Sequence, residues 1–214
     1  MTTITVPVRK RVEKGPKGEV RYFGLAGLGK RTKGKIKKIA GEDEPVLPQL
    51  LNGEMEDAIL FGGAYVVPEA VEKAQALGAA GIIVGGMPYR DFARRRTSDE
   101  AFPIIVTEGF GIAPVQIILP EEEAEIDGEN AWITFASIKA PREETAEKVP
   151  LEAGLTVRLL AFPHLGKTGK IVKVSSSQEK MASGLRDLIA EVQTKSGEKV
   201  LTAVSNLEAI FSKM

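Results

Sequence analysis

The run from Gly154 to Ile210, GLTVRLLAFPHLGKTGKIVKV and then GLRDLIAEVQTKSGEKVLTAVSNLEAI, constrains the fold more than any other part of the chain. Val157 and Leu159 interleave with Arg158 and Leu160, a Pro-His-Leu-Gly turn follows, and Ile171, Val172 and Val174 resume after Gly169. That pattern is two short strands flanking a glycine-bearing loop. Ser196-Gly197 marks a tight hairpin whose arms, Leu188 to Thr194 and Lys199 to Val204, are rich in β-branched residues. Ser205-Asn206-Leu207-Glu208 reads as a closing single turn. Consecutive short strands joined by tight turns leave room for a small sheet that curls on itself, and no room for a helical packing layer.

The succession of apolar strand, turn, Gly166, two residues, Gly169 and apolar strand resembles the KOW motif of SH3-like barrels in transcription elongation factors and ribosomal proteins, with Gly169 at the motif's most characteristic glycine. The resemblance implies an SH3-like barrel over residues 150–214 and a nucleic-acid partner, RNA or a ribonucleoprotein. On this chain the residues it points to are Phe162, His164 and the cations Arg158, Lys167, Lys170 and Lys173, which read as a basic strand edge. Residues 150–214 carry nine Lys/Arg against six Asp/Glu, a mild positive balance. Residues from about Val20 to Ala140 resemble an uncharacterised bacterial family, which implies no activity.

Charge and residue usage narrow the classes of function. The 29 basic and 29 acidic side chains cancel, so any nucleic-acid surface must be local. Without cysteine there is no disulfide, thiolate nucleophile or cysteine-bound metal, and the single histidine, His164, leaves histidine acid–base chemistry resting on one turn residue. No cofactor or metal is expected. The opening MTTITVPVRKRVEKG lacks the apolar core of a signal peptide, and no run of eighteen apolar residues occurs, so a cytoplasmic protein without membrane insertion is expected.

The remainder, residues 1–140, reads as a sheet-rich α/β domain. Ile4, Val6 and Val8 alternate as an edge strand, a Gly15-Pro16-Lys17-Gly18 turn follows, Val20 to Leu25 and Gly34 to Ile39 read as strands, and Gly27-Leu28-Gly29 as a loop. Ala58 to Val67 is a buried strand or strand pair broken by Gly62-Gly63. Pro68 at a first helical turn and the Val71, Ala74, Leu77 spacing predict a helix ended by Gly78. Ile82 to Val84 then completes a β-α-β unit, its unbroken apolar run indicating cover on both faces. Tyr89 to Arg96 is a short basic helix or turn, Phe102 to Thr107 a strand, Glu108-Gly109-Phe110-Gly111 a loop. Val115 to Leu119 and Ala131 to Phe135 read as strands separated by acidic turns, and the polar stretch Lys139 to Val149 as the linker. The whole is α+β and sheet-rich, with an N-terminal β/β/α-like domain carrying one main helix, similar to a swivelling domain and unlike a Rossmann fold.

Charge is segregated. Residues 1–41 hold twelve bases and two acids, and residues 42–57 six acids and no base, so the two blocks are expected to neutralise one another when folded. Gly24 to Arg31, GLAGLGKR, has the spacing of a phosphate loop but carries Arg31 where a hydroxyl is required, so a connection between strands fits better. Gly62, Gly63, Gly85, Gly86, Gly109 and Gly111 either permit close backbone packing or wall a pocket to which Glu108 and Arg90 add polar groups. Arg90, Arg94, Arg95 and Arg96, interleaved with Tyr89 and Phe92, either form a solvated surface partly paired with Asp91, Asp99 and Glu100 or grip phosphates while the aromatics stack on bases. The resulting expectation is a non-enzymatic binding protein for RNA or a ribonucleoprotein. The alternatives are a protein–protein scaffold or assembly subunit, and a small-molecule domain with a glycine-lined pocket.

Overall fold

The computed structural model describes residues 4–8, 11–15, 17–97, 101–136, 138, 148–161, 163–180, 184 and 186–210. Pro16, Asp99, Glu100, Phe162, Phe211, Met214 and most of the expected linker lie outside the described residues. The fold is α+β and sheet-rich, and it divides into two compact units, Arg11–Glu143 and Met1–Lys10 with Glu144–Met214.

In the 11–143 unit the strands lie in the order Val12–Lys14, Val20–Phe23, Trp132–Phe135, Glu123–Asp127, Arg31–Lys38, Ile59–Phe61, Gly81–Met87, Ile104–Phe110 and Ala26–Leu28. Pairing is antiparallel up to Arg31–Lys38, parallel from there to Ile104–Phe110, and antiparallel again at Ala26–Leu28. Phe23 and Ala26, near opposite ends of this order, are joined by Gly24 and Leu25 alone. The Gly24 N–H donates to the Ala131 carbonyl at 2.7 Å and the Leu25 N–H to the Val106 carbonyl at 2.7 Å. The sheet therefore curls until one continuous segment serves both edges, which leaves few strand groups unpaired.

Side-chain alternation then builds two cores. Ile59, Phe61, Ile83 and Ile105 point inward with Ile36, Ile126, Ile133 and Phe135. Their neighbours Leu60, Ile82, Val84, Ile104 and Val106 point outward beneath Ala70, Val71 and Ala74 of helix α1 (Pro68–Ala76) and Phe92 of helix α2 (Tyr89–Arg96). A strand covered on both faces must be apolar at every position, as the buried run Gly81–Met87 is.

Several expectations are corrected. Ala26–Leu28 is a strand where a loop is expected around Gly27-Leu28-Gly29, because the sheet recruits it to close its edge. Glu108, Gly109 and Phe110 continue the Ile104–Phe110 strand past a register shift, with Gly109 opposite Gly86. Val115 to Leu119 is not a strand. Its backbone instead bonds irregularly, the Ala113 N–H to the Ala64 carbonyl at 2.8 Å and the Val115 N–H to the Glu42 carbonyl at 3.2 Å, while Val115, Ile117 and Leu119 join the interior core. Glu123 and Asp127, expected in the acidic turns Glu121-Glu122-Glu123 and Asp127-Gly128, are instead the ends of a central strand, Glu123–Asp127, in which Ala124 and Ile126 are buried. It places Glu123 opposite Lys35, Glu125 opposite Lys33 and Asp127 opposite Arg31. The early basic block is thus balanced largely by a strand far along the chain.

In the smaller unit Thr5–Pro7 pairs antiparallel with Lys148–Pro150, so the opening strand sits with the C-terminal residues and not with the first domain. The main sheet has the order Lys199–Ala203, Ile189–Thr194, Thr168–Val174, Thr156–Leu159, Leu207–Ala209, antiparallel throughout. Both hairpins expected from the sequence are present. The closing turn lies at Val204–Asn206, and Leu207–Ala209, read as part of that turn, is a fifth strand returning to the first. Gly197, at φ +84°, takes the hairpin's left-handed position. Gly169 is needed for space, since a Cβ there would lie 2.5 Å from the Gln193 carbonyl oxygen of the next strand. Val6, Val157, Leu159, Ile171, Val192 and Leu207 lead its core. Among the described residues no helix is long and apolar enough to cross a membrane.

Candidate basic surface

Helix α2 begins after Pro88, has Asp91 in its first turn and Arg94, Arg95 and Arg96 in its last, which suits the helix dipole at both ends. Asp91 is buried and accepts from Arg94 Nη2 at 2.8 Å and Arg95 Nε at 2.9 Å. Glu72 of α1 adds a second carboxylate, 3.5 Å from Arg95 and 4.0 Å from Arg94. Arg95 is further tied to the Pro68 carbonyl and is only 14% exposed, whereas Arg94 remains 68% exposed. Arg90 and Arg96 are exposed, and no ion pair holds either among the described residues. Phe92 is buried against Phe110 with ring centres 5.1 Å apart, so it supports the fold and does not present a face to a base. Tyr89 packs edge-on against Phe110 at 5.1 Å and keeps 46% of its surface exposed.

In the smaller unit the expected basic edge separates into three environments. Arg158 is 1% exposed and lies directly across the sheet from Glu208, which accepts from its Nη1 at 2.9 Å. It is a core residue and not part of a surface. Strand alternation alone cannot reveal this, because the carboxylate that receives it arrives on the fifth strand. Lys167 donates to Glu198 at 2.8 Å, and that hydrogen bond holds the Glu198 carboxyl below its usual range. His164 is half-buried with Nδ1 3.9 Å from the other Glu198 oxygen. Lys170 and Lys173 are exposed on the strand that leaves the glycine turn. Phe162 lies outside the described residues.

Of the glycines expected to wall a pocket, Gly62, Gly85 and Gly86 meet backbone and Gly63 meets a side chain. A Cβ on Gly62 would strike the Ala40 carbonyl oxygen, one on Gly63 the Val46 side chain, one on Gly85 the Ala113 carbonyl oxygen and one on Gly86 the Gly111 carbonyl oxygen. Gly111 adopts φ +94° where the chain turns back over the barrel. The space opened at Gly62, Gly63, Gly85 and Gly86 is thus filled by neighbouring chain, whereas a Cβ on Gly111 would have nothing within 4 Å. Glu108 is 3% exposed and clasped by Arg11, with Nη1 2.6 Å and Nη2 2.9 Å from its two oxygens. It also accepts the Gln116 N–H at 3.3 Å. Its carboxylate ties Gln116, in the segment that follows Gly111, to Arg11 at the start of the unit.

One concavity that the sequence did not single out, a groove of about 660 Å³, runs along Arg31–Lys38. Lys33, Lys35 and Lys37 line it with Glu54, Asp57 and Glu123. Lys37 pairs with Glu54 across it at 3.1 Å, and Lys33 pairs with Glu125 outside it at 3.4 Å. The signal in the sequence was the alternating lysines of RTKGKIKK, Lys33, Lys35 and Lys37, on one strand face. Among the described residues no cluster of three or more His, Asp or Glu side chains is placed to hold a metal ion. No family model matches the chain, and no curated protein matches it.

Proposed function

We propose that the protein is a non-enzymatic, cytoplasmic binding protein that contacts RNA, free or in a ribonucleoprotein, through a C-terminal KOW-like, SH3-like barrel and the exposed cations of α2. The observation that carries this reading is the layout of the smaller unit. The Gly166-x-x-Gly169 turn joins the first two strands of an antiparallel sheet, a hairpin follows, and a single turn returns the last strand to the first. Lys170 and Lys173 project from the strand that leaves the turn, and Arg90 and Arg96 supply a second local source of positive charge on a chain of zero net charge. Exposed guanidinium and ammonium groups are the ones placed to exchange counterions for phosphates.

The test is binding of a fluorescent single-stranded RNA and of an RNA duplex at low and near-physiological salt. The logarithm of the affinity should fall linearly with the logarithm of salt concentration, with a slope of roughly 0.7 to 0.9 per phosphate contact. Lys170→Glu/Lys173→Glu and Arg90→Glu/Arg96→Glu should each weaken binding by about tenfold or more and flatten that slope. Failure to bind either RNA at low salt would reject the reading. A second reading, a protein-binding scaffold, is favoured by Leu201 and Val172, 72% and 42% exposed on the same sheet.

A further inference from the structure

Residues 112–119 of the larger unit follow the Ile104–Phe110 strand as irregular chain, yet their side chains alternate as a strand's would. Val115, Ile117 and Leu119 turn into the interior core, while Ile112, Pro114, Gln116 and Ile118 face solvent. Ile112 and Ile118 are 81% and 68% exposed, two of the three most exposed large hydrophobic side chains among the described residues. At about 3.3 Å per residue they stand about 20 Å apart on one outward strip. The backbone is held beneath it, the Gly111 N–H bonding the Met87 carbonyl at 2.9 Å and the Gln116 N–H the Glu108 carboxylate at 3.3 Å. Carboxylates border the strip. The bond from the Val115 N–H to the Glu42 carbonyl brings the exposed Glu42, Asp43 and Glu44 alongside its middle, and the exposed Glu121, Glu122 and Glu123 continue beyond Ile118. Glu44 accepts the Gly41 N–H at 2.7 Å, and Glu123 lies opposite Lys35. Arg11 reaches Gln116 at 3.3 Å but is clasped by Glu108. Helix α2 meets the Ile112 end through Tyr89 on Phe110 and carries the exposed Arg90 there. The middle and the Ile118 end are therefore apolar with an acidic rim, the arrangement of a partner-binding surface.

We propose that this strip docks a basic amphipathic helix of a different protein, its apolar face on Ile112, Pro114 and Ile118 and its Lys or Arg flanks over the two acidic stretches. Three observations select that occupant. The acidic rim repels RNA, DNA and anionic lipid and attracts a cationic polypeptide. Pro114 places no N–H at the centre, where an added strand would need a donor, so recognition falls to side chains and suits a helix. Third, helices α1 and α2 bury their apolar residues, Ala70, Val71 and Ala74 in one and Phe92 in the other. A second copy of this chain thus offers no such helix among the described residues. A helix of about 14 residues, rising 1.5 Å per residue, spans the distance from Ile112 to Ile118. The contact does not rest on RNA binding. A strip of this length with an exposed charged rim makes a weak, salt-sensitive interface.

The probe is a fluorescein-labelled peptide of Leu and Lys, of about that length and ordered with helical period, beside the same peptide with Glu in place of every Lys. Each is titrated with the full chain and followed by anisotropy at low and near-physiological salt. The Lys peptide should bind about tenfold or more tighter than the Glu peptide and weaken as salt rises. Ile112→Ser/Ile118→Ser should weaken it by about tenfold while the Trp132 fluorescence transition stays in place, since both side chains are exposed. Glu121→Gln/Glu122→Gln and Glu42→Gln/Asp43→Asn should each weaken it by roughly threefold and flatten its salt dependence. Leu201→Ser, at a leucine 72% exposed in the smaller unit, should change nothing. No binding of the Lys peptide at low salt, equal binding of the two peptides, or an Ile112→Ser/Ile118→Ser variant that binds like the unmodified chain would overturn the proposal. So would sedimentation showing a dimer that this double variant dissolves, which would give the strip to a second copy. Neither arm uses RNA, so failure of the RNA reading leaves the test intact.

Discussion

The two units solve the problem of a curled sheet differently. In the 11–143 unit the sheet has an interior core and an outer core under two helices, and its two edges share one segment of chain. The smaller unit has, among its described residues, a single cluster of buried side chains and carries an Arg–Glu pair inside its sheet. Both bury a glutamate against an arginine, but Arg11 of the larger unit keeps 26% exposure while Arg158 keeps 1%. A large unit can hang its ion pair at the rim, where water shares the cost of desolvation. A small one with few apolar side chains available has placed the pair where only geometry compensates it.

That contrast can be broken experimentally because the single tryptophan, Trp132, and all three tyrosines, Tyr22, Tyr65 and Tyr89, belong to the larger unit. Aromatic fluorescence reports on it alone, and hydrogen exchange over residues 148–210 reports on the other. The largest effect is expected from Glu208→Ala, which strands a buried guanidinium at a cost of about 3–5 kcal/mol. Exchange protection across the small sheet should collapse while the Trp132 unfolding midpoint stays in place. A matching shift at Trp132 would mean that the units unfold as one and the comparison fails.

Ile105→Ala empties part of the barrel interior and should cost about 2–5 kcal/mol, read as a lower denaturant midpoint of Trp132 fluorescence with the slope unchanged. A loss below about 1 kcal/mol would show that the double core relaxes around the hole. Gly169→Ala, which presses a methyl on the Gln193 carbonyl, should destabilise the smaller unit by about 1–3 kcal/mol and leave the Trp132 transition alone. Unchanged protection of Thr168–Val174 in that variant would show that the neighbouring strand yields easily.

The smallest effects are expected from pH. Burial pushes the Asp127 carboxyl up, but hydrogen bonds from Arg31 and Asn130 outweigh it and hold the group below its usual range. Asp187 in the smaller unit behaves alike, burial being outweighed by bonds from the Ser205 and Leu188 N–H groups. A carboxyl lowered in the folded state binds fewer protons than in the unfolded chain. Its contribution is therefore complete above the ordinary carboxylate value of about 3.9 and is lost as pH falls from there through the folded value. Asp127→Asn should flatten the acid limb of the Trp132 transition, and Asp187→Asn that of exchange in the smaller unit. Identical limbs before and after substitution would remove these groups from the account.

Much of the fold was legible in residue order. The Val71, Ala74, Leu77 spacing after Pro68, the continuous apolar runs at Gly81–Met87 and Ile104–Phe110, and the Ser196-Gly197 hairpin all report local chemistry, and all three form. Among the strands that were missed, Ala26–Leu28, Glu123–Asp127 and Leu207–Ala209 are short and glycine-bearing or acidic, with weak strand signals of their own, and Lys148–Pro150 begins inside the stretch expected as the linker. Each exists because a distant edge has unpaired groups to offer it. The candidate surface was legible only as composition. That four arginines crowd one helix follows from sequence, but which are engaged depends on Asp91 and on Glu72 of a neighbouring helix.

The amino-acid order by itself determined the element types with strong period or turn chemistry, the sheet-rich class and the local charge blocks, since these rest on interactions within a few residues. Only the tertiary structure decided that Arg158 is a core residue, that Glu108 is an anchor, that Gly62, Gly85 and Gly86 face backbone and that the opening strand joins the C-terminal unit. Each of those outcomes turns on a partner far away in the chain, and burial of a charge or closure of an edge has no meaning until that partner is in place.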